Sequence, residues 1–188
     1  GGGGVKAGGG GAGEGGGRGG VGVPGRPRGG FGMVTEPLPR RVCHRVDAAG
    51  YSDSGGGADA GWEASPGVEG TPAGTILIGS SRERVGFDST VSTEALRAIA
   101  ANAIDLFPFL ERTRIMRHYH GFRPYCPDHL PVIGPDPRAP RLWPASGHEG
   151  AGIGLAAGTG QLPAPAPVGA DPDLPLDPVR PARVGAGA

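Results

Sequence analysis

The chain has 188 residues, with eighteen basic and eighteen acidic side chains, so net charge gives no reason to expect a nucleic-acid or anionic-membrane partner. No apolar run approaches the roughly 18 residues of a membrane-spanning helix, and the N-terminus does not read as a signal peptide. Two cysteines, Cys43 and Cys126, give no disulfide framework, and a reduced, cytoplasmic protein is the expectation.

Glycine (40) and proline (21) are abundant but unevenly spread: 18 of the first 30 residues are glycine. No Gly-X-Y period runs through that stretch, which excludes collagen. It has almost nothing to bury against the entropy of ordering, so residues 1–22 read as a disordered tail.

Beyond it, Phe31-Gly-Met-Val-Thr-Glu36 reads as a strand ended by Pro37 and Pro39, and Arg41-Val-Cys-His-Arg-Val46 alternates like a second. Residues 52–61 form a loop, and Trp62 to Pro66 is a short strand. Thr75-Ile-Leu-Ile-Gly-Ser-Ser81 is the clearest strand, apolar and bounded by Gly74 and a charged turn. One helix follows. Ser92 or Thr93 caps it, Glu94 complements its dipole, and Leu96, Ile99, Ala103, Leu106 and Leu110 recur at steps of three and four until Pro108 ends the regular part. Residues 112–123, 130–134 and 141–146 read as extended. The order predicts an α+β fold, a mostly antiparallel or mixed sheet with one main helix.

Two motifs carry chemistry. GHEGAGIGLA, residues 147–156, follows a short strand and precedes a helix beginning near Gly152. Such a turn aims backbone N–H groups and a positive helix end at whatever lies above it, and lets a flat ligand approach where no Cβ stands. The same pattern also serves a tight strand-to-helix turn with no ligand. GFRPYCPDHLPVIGPDP, residues 121–137, sets Arg123 at a strand end among prolines. A guanidinium held this way suits bidentate recognition of a carboxylate, and equally suits a surface ion pair with Asp128 or Asp136.

Together, in this order and at this distance, the two motifs resemble the C-terminal half of the FAD-dependent amino-acid oxidase superfamily, which holds D-amino-acid oxidase, glycine oxidase and sarcosine oxidase. MVTEPLPRRV (33–42), TILIGSSRERVGFD (75–88) and PDLPLDPVRPARV (172–184) resemble its substrate-domain strands. The resemblance implies that Arg123 holds a substrate carboxylate, with Tyr125 a candidate polar contact beside it. It implies that Gly147, His148, Glu149, Gly150, Ala151, Gly152, Ile153, Gly154 and Leu155 lie beside the flavin of FAD. It further implies hydride transfer from the amine-bearing carbon of a small amino acid or secondary amine to flavin N5. No side-chain base is demanded if the amine binds neutral, and no metal is implied.

The family opens with a strand, GxGxxG and a helix that hold the ADP half of FAD. GGGRGG at 15–20 fits only as text, with no strand before it. The chain therefore reads as a fragment: tail 1–22, a partial FAD-dependent oxidoreductase over 23–162, and a Pro-rich extension over 163–188. Prolines 163, 165 and 167 stop any helix by about Leu162. A partner chain supplying the dinucleotide-binding part, or a non-catalytic remnant, are the alternatives. From other classes, His118, His120, Cys126 and His129 offer metal ligands at a spacing that fits no common zinc pattern. Covalent attachment of flavin to Cys126 competes with a plain thiol. Arg18-Gly-Gly and Arg28-Gly-Gly-Phe31 resemble RNA-binding repeats.

Overall fold

The computed structural model describes residues 4–7, 25–48, 62–139, 142–162 and 175–184. They fall into two units, one formed by Gly1–Arg28 with Phe122–Ala188 and one by Gly29–Gly121.

The second unit is built around a five-stranded sheet in the order β3-β4-β5-β2-β6. Its strands are β2 (Arg26–Thr35), β3 (Val46–Asp47), β4 (Trp62–Gly70), β5 (Ile76–Glu83) and β6 (Ile115–Tyr125). β2, β4 and β3 each join their neighbour antiparallel, with Met33 opposite Ile78 and Val68 opposite Ile78 across β5. β5 buries Ile76 and Ile78, two residues apart, on one face. That is the period-two logic of a half-covered sheet. Further along, buried Ser81 accepts the Phe31 N–H at 2.9 Å and donates to the Glu83 carboxylate at 2.8 Å. The polar pair is satisfied within the sheet itself.

Helix α1 (Thr93–Leu106) covers the apolar face through Ala95, Ile99 and Ala103, a stripe at steps of four. Leu96 and Leu106 flank this stripe, half-buried. Ser92 is the cap: its hydroxyl accepts from the Ala95 N–H at 3.1 Å, an interaction that contributes about 1 kcal/mol. Pro108 ends the helix as the sequence predicts and opens a 3₁₀ turn over Pro108–Arg112.

The sequence expectation fails at 41–46. Only Val46–Asp47 pairs in the sheet. Val42 is buried, whereas Arg41 and Cys43 to Arg45 are exposed, so the alternation marks one anchoring contact rather than a strand. Val42 sets its carbonyl against Gly70, and Arg45 turns its guanidinium onto Asp47 at 2.8 Å. The expected strand at 112–123 begins later, at Ile115, and runs to Tyr125.

The first unit has a three-stranded sheet, β1 (Gly4–Ala7), β8 (Leu142–Ser146) and β7 (Val132–Ile133), in that order. β1 is parallel to β8 and β7 antiparallel to it. The sequence assigns 4–7 to the disordered tail; these residues form β1, whose backbone is satisfied by a parallel ladder to β8. The remainder of that tail, including Arg18 and the 15–20 glycine run, lies outside the described residues, as do the loop expected over 52–61 and residues 163–174 of the Pro-rich extension. Helix α2 (Gly152–Gln161) follows β8 and ends where predicted. The segment near the C-terminus, expected to be strand-like, forms 3₁₀ turns over Asp177–Val179 and Pro181–Arg183, as its repeated prolines require. Among the described residues no helix is long and apolar enough to cross a membrane.

Candidate functional site

Arg123 stands near the end of β6, and the chain after it is held by a series of short turns. Cys126 O accepts from His129 N at 2.9 Å, and Asp128 Oδ1 accepts from Leu130 N at 3.1 Å. Arg183 clamps this loop from the C-terminal segment, donating from Nε to Asp128 at 2.7 Å and from Nη2 to the Leu130 carbonyl at 2.7 Å. A second aspartate turn follows at Asp136, whose carboxylate is buried and receives both the backbone and the guanidinium of Arg138. Asp128 and Asp136 are thus engaged by Arg183 and Arg138. The prolines fix φ and the aspartates fix the turns, so β6 hands over to β7 in one defined path.

Arg183 holds the Asp128 carboxyl below its ordinary 3.8 by hydrogen bonding, against a smaller opposing effect of burial. The fold therefore favours the ionised form. This contribution is complete above the unfolded value and drains away as pH falls through the lower folded one. Asp128→Asn is expected to flatten the loss of stability below about pH 4, measured as denaturation midpoint against pH.

The Gly-rich turn joins this framework through a backbone bridge between Tyr125 and His148. Gly147 has φ +90, and a Cβ there would lie 2.5 Å from Cys126 Sγ, so this glycine is required by the chain itself. Gly150 and Gly154 differ. A Cβ on Gly150 meets Arg123 Nε at 3.7 Å, and one on Gly154 meets nothing within 4 Å. Packing within the described residues does not demand glycine at these two positions. The N-terminus of α2 carries no side-chain cap. Its dipole and first-turn N–H groups suit an electron-rich ligand.

The structure thus brings Arg123 and the Gly-rich turn together. Tyr125 is 8% exposed and packs under Arg28, whose guanidinium lies 5.5 Å from the ring centroid, and against His129 at 5.2 Å. His148 turns toward α2, its Nε2 2.9 Å from Thr159 Oγ1, and burial holds its pKa below the ordinary value. Glu149 pairs with Arg28 at 3.3 Å and His129 at 2.8 Å. Ala151 and Gly152 form the junction of a 3₁₀ turn with α2, Ile153 is 96% exposed and Leu155 52%.

The candidate metal ligands separate. His118 and His120 flank Phe31 in the second unit, whereas Cys126 and His129 belong to the first. Among the described residues no group of three or more His, Cys, Asp or Glu is placed to hold a metal ion. Cys126 is fully buried, and desolvation, followed by the charge of Asp128, pushes its thiol up to about 11. Arg28, read from the sequence as part of an RNA-binding-like repeat, is 1% exposed within β2. Its pairing with Glu149, 121 residues away, had no local sequence signal.

The fold, the paired motifs and their order define a flavoprotein class: the chain belongs to the FAD dependent oxidoreductase family, whose model matches residues 4–164. Within that family it is similar to glycine oxidase of Pseudomonas putida, at 38% identity over 108 residues, 57% of this chain and 30% of that protein. It is similar also to the hydrogen cyanide synthase subunit HcnC of Pseudomonas protegens, at 37% identity over 89 residues, 47% of this chain and 21% of that one. The fold matches the crystal structure of glycine oxidase from Geobacillus kaustophilus with TM-score 0.73 at 24% identity, over 88% of this chain and 41% of that one. The chain spans less than a third of the length of either curated relative.

Proposed function

We propose that this chain forms the carboxylate-binding and flavin-facing part of an oxidoreductase acting on the C–N bond of a small amino acid or secondary amine that carries a carboxylate. The observation that carries the reading is the closeness of Arg123 to the Gly-rich turn: a Cβ added at Gly150 would lie 3.7 Å from Arg123 Nε, so a cation suited to a carboxylate stands beside a turn whose glycines leave room for a flat ring. When bound, FAD supplies a hydride acceptor at N5. Arg123 holds the substrate carboxylate and so fixes where the amine-bearing carbon sits. The α2 N-terminus stabilises negative charge placed beside it. A substrate amine entering neutral needs no side-chain base.

Two measurements test this. The purified chain is mixed with FAD, desalted, and its visible absorption recorded; a retained flavin band supports the reading, and small amino acids are then expected to bleach it anaerobically. Gly150→Ala sharpens the test. The added methyl makes only ordinary contacts within the chain, so stability is expected to change by less than about 0.5 kcal/mol. Flavin retention or bleaching is expected to fall, because the methyl fills the space beside Arg123. Unaltered flavin binding and bleaching in this variant would sink the assignment of the turn.

A second reading has its own support. α2 buries none of its residues, Ile153 and Leu155 stand in the open, and β1 is an edge of its sheet among the described strands. A surface this apolar calls for a cover. We infer that a dinucleotide-binding partner segment or chain supplies it. In that case FAD is retained only when that partner is present, and the chain alone desalts colourless.

A further inference from the structure

Only two non-glycine residues among those described have left-handed backbone, His129 (φ 59) and Glu149 (φ 52). They are each other's hydrogen-bond partners, with Nδ1 2.8 Å from Oε1. A residue with a Cβ in this region loses about 1 kcal/mol or more and keeps the conformation only where its surroundings impose it. The other oxygen of Glu149 meets the guanidinium of buried Arg28 at 3.3 Å. Arginine cannot shed its proton, so a buried guanidinium strongly favours a carboxylate beside it. The Tyr125 ring packs under the Arg28 guanidinium and edge-on against the His129 ring, and its backbone bridges to His148, the residue before Glu149. Arg123 lies two residues before Tyr125 on the same strand.

The geometry points to Glu149 as a positioning residue: its carboxylate, tied to Arg28 and to His129, locks the Gly-rich turn against the end of β6 and so sets where Gly150 lies relative to Arg123. Its consequence for flavin and substrate rests on the function proposed above; the lock itself does not. A turn preset in this way spares the site the cost of ordering when a ligand arrives.

The test needs no flavin. Hydrogen exchange of the 188-residue chain is followed by mass spectrometry over peptides spanning 126–131 and 147–152, with α1 as an internal reference for folding. Glu149→Gln keeps the shape and removes the charge. It is expected to speed exchange about tenfold in both segments and leave α1 unchanged, since it weakens two charge-assisted bonds at one locus. Glu149→Gly relieves the backbone but removes the carboxylate, and is expected to speed the same segments. His129→Gly removes one tie from a partly exposed position and serves if the Glu149 variants fail to fold. The double variant His129→Gly with Glu149→Gln is expected to exchange no faster than Glu149→Gln alone, the non-additivity of a shared interaction. Wild-type exchange in Glu149→Gln or in His129→Gly, or slower exchange in Glu149→Gly, would overturn the lock and assign the turn to its backbone alone. Loss of the lock with flavin still bound and bleached separates the two proposals, as does an intact lock in a chain that never retains FAD.

Discussion

Arg123→Ala is expected to leave the fold and any bound flavin in place while weakening reduction by small amino acids at least about 100-fold, read as the substrate concentration needed for half-maximal anaerobic bleaching. A bidentate guanidinium–carboxylate contact comprises two charge-assisted hydrogen bonds, each contributing about 1.5–3 kcal/mol. An alanine supplies neither. A Cβ added at Gly150 would lie 3.7 Å from Arg123 Nε, which sets the side chain beside the turn, and denaturant unfolding of Arg123→Ala recorded alongside tells a loss of stability from a loss of substrate binding. Arg123→Lys is expected to recover only part of the loss, because a point charge cannot reproduce the fork. Equal bleaching by wild type and Arg123→Ala would remove the carboxylate role from this residue and leave the second cation of the cluster, Arg28, for scrutiny.

The largest structural effect is expected at Gly147→Ala. Its φ of +90 is strained for any residue with a side chain, and the new methyl would lie 2.5 Å from Cys126 Sγ and 3.3 Å from Pro131 Cα. The loss is expected to reach about 3 kcal/mol or more, measured by denaturant unfolding, from strain and overpacking together. In a Cys126→Ala background the sulfur is gone and only the strain and the milder contacts remain. The cost of Gly147→Ala there is expected to fall by at least about 1 kcal/mol. An undiminished cost would place the penalty in backbone conformation rather than in the sulfur contact.

These two sites differ in how they could be read before folding. Arg123 was singled out by its motif, a cation at a strand end held by prolines, which suits carboxylate recognition as it also suits a surface ion pair. Glycine 147 was legible as part of a Gly-rich turn, but not which of that turn's glycines the packing requires. The answer depends on Cys126, twenty-one residues away in sequence and in contact through the hairpin of β7 and β8. The strand at 41–46 failed for a related reason. Alternation reports that one residue, Val42, is buried, but not whether a neighbouring strand edge is free to accept the backbone.

Local chemistry alone determined several features: a hydroxyl cap at Ser92 or Thr93 and the Pro108 stop of α1, the apolar β5, the order of the Arg-bearing and Gly-rich motifs, and with them the family. Each of these is written in residues a few positions apart, where propensity, capping and period act directly. Only the tertiary structure decided that residues 4–7 add a parallel strand to β8, that Arg183 holds the loop at Asp128, and that Arg28, Glu149 and His129 converge. Those outcomes depend on which segments meet, and a pairing between residues 121 positions apart leaves no period or spacing along the chain to read.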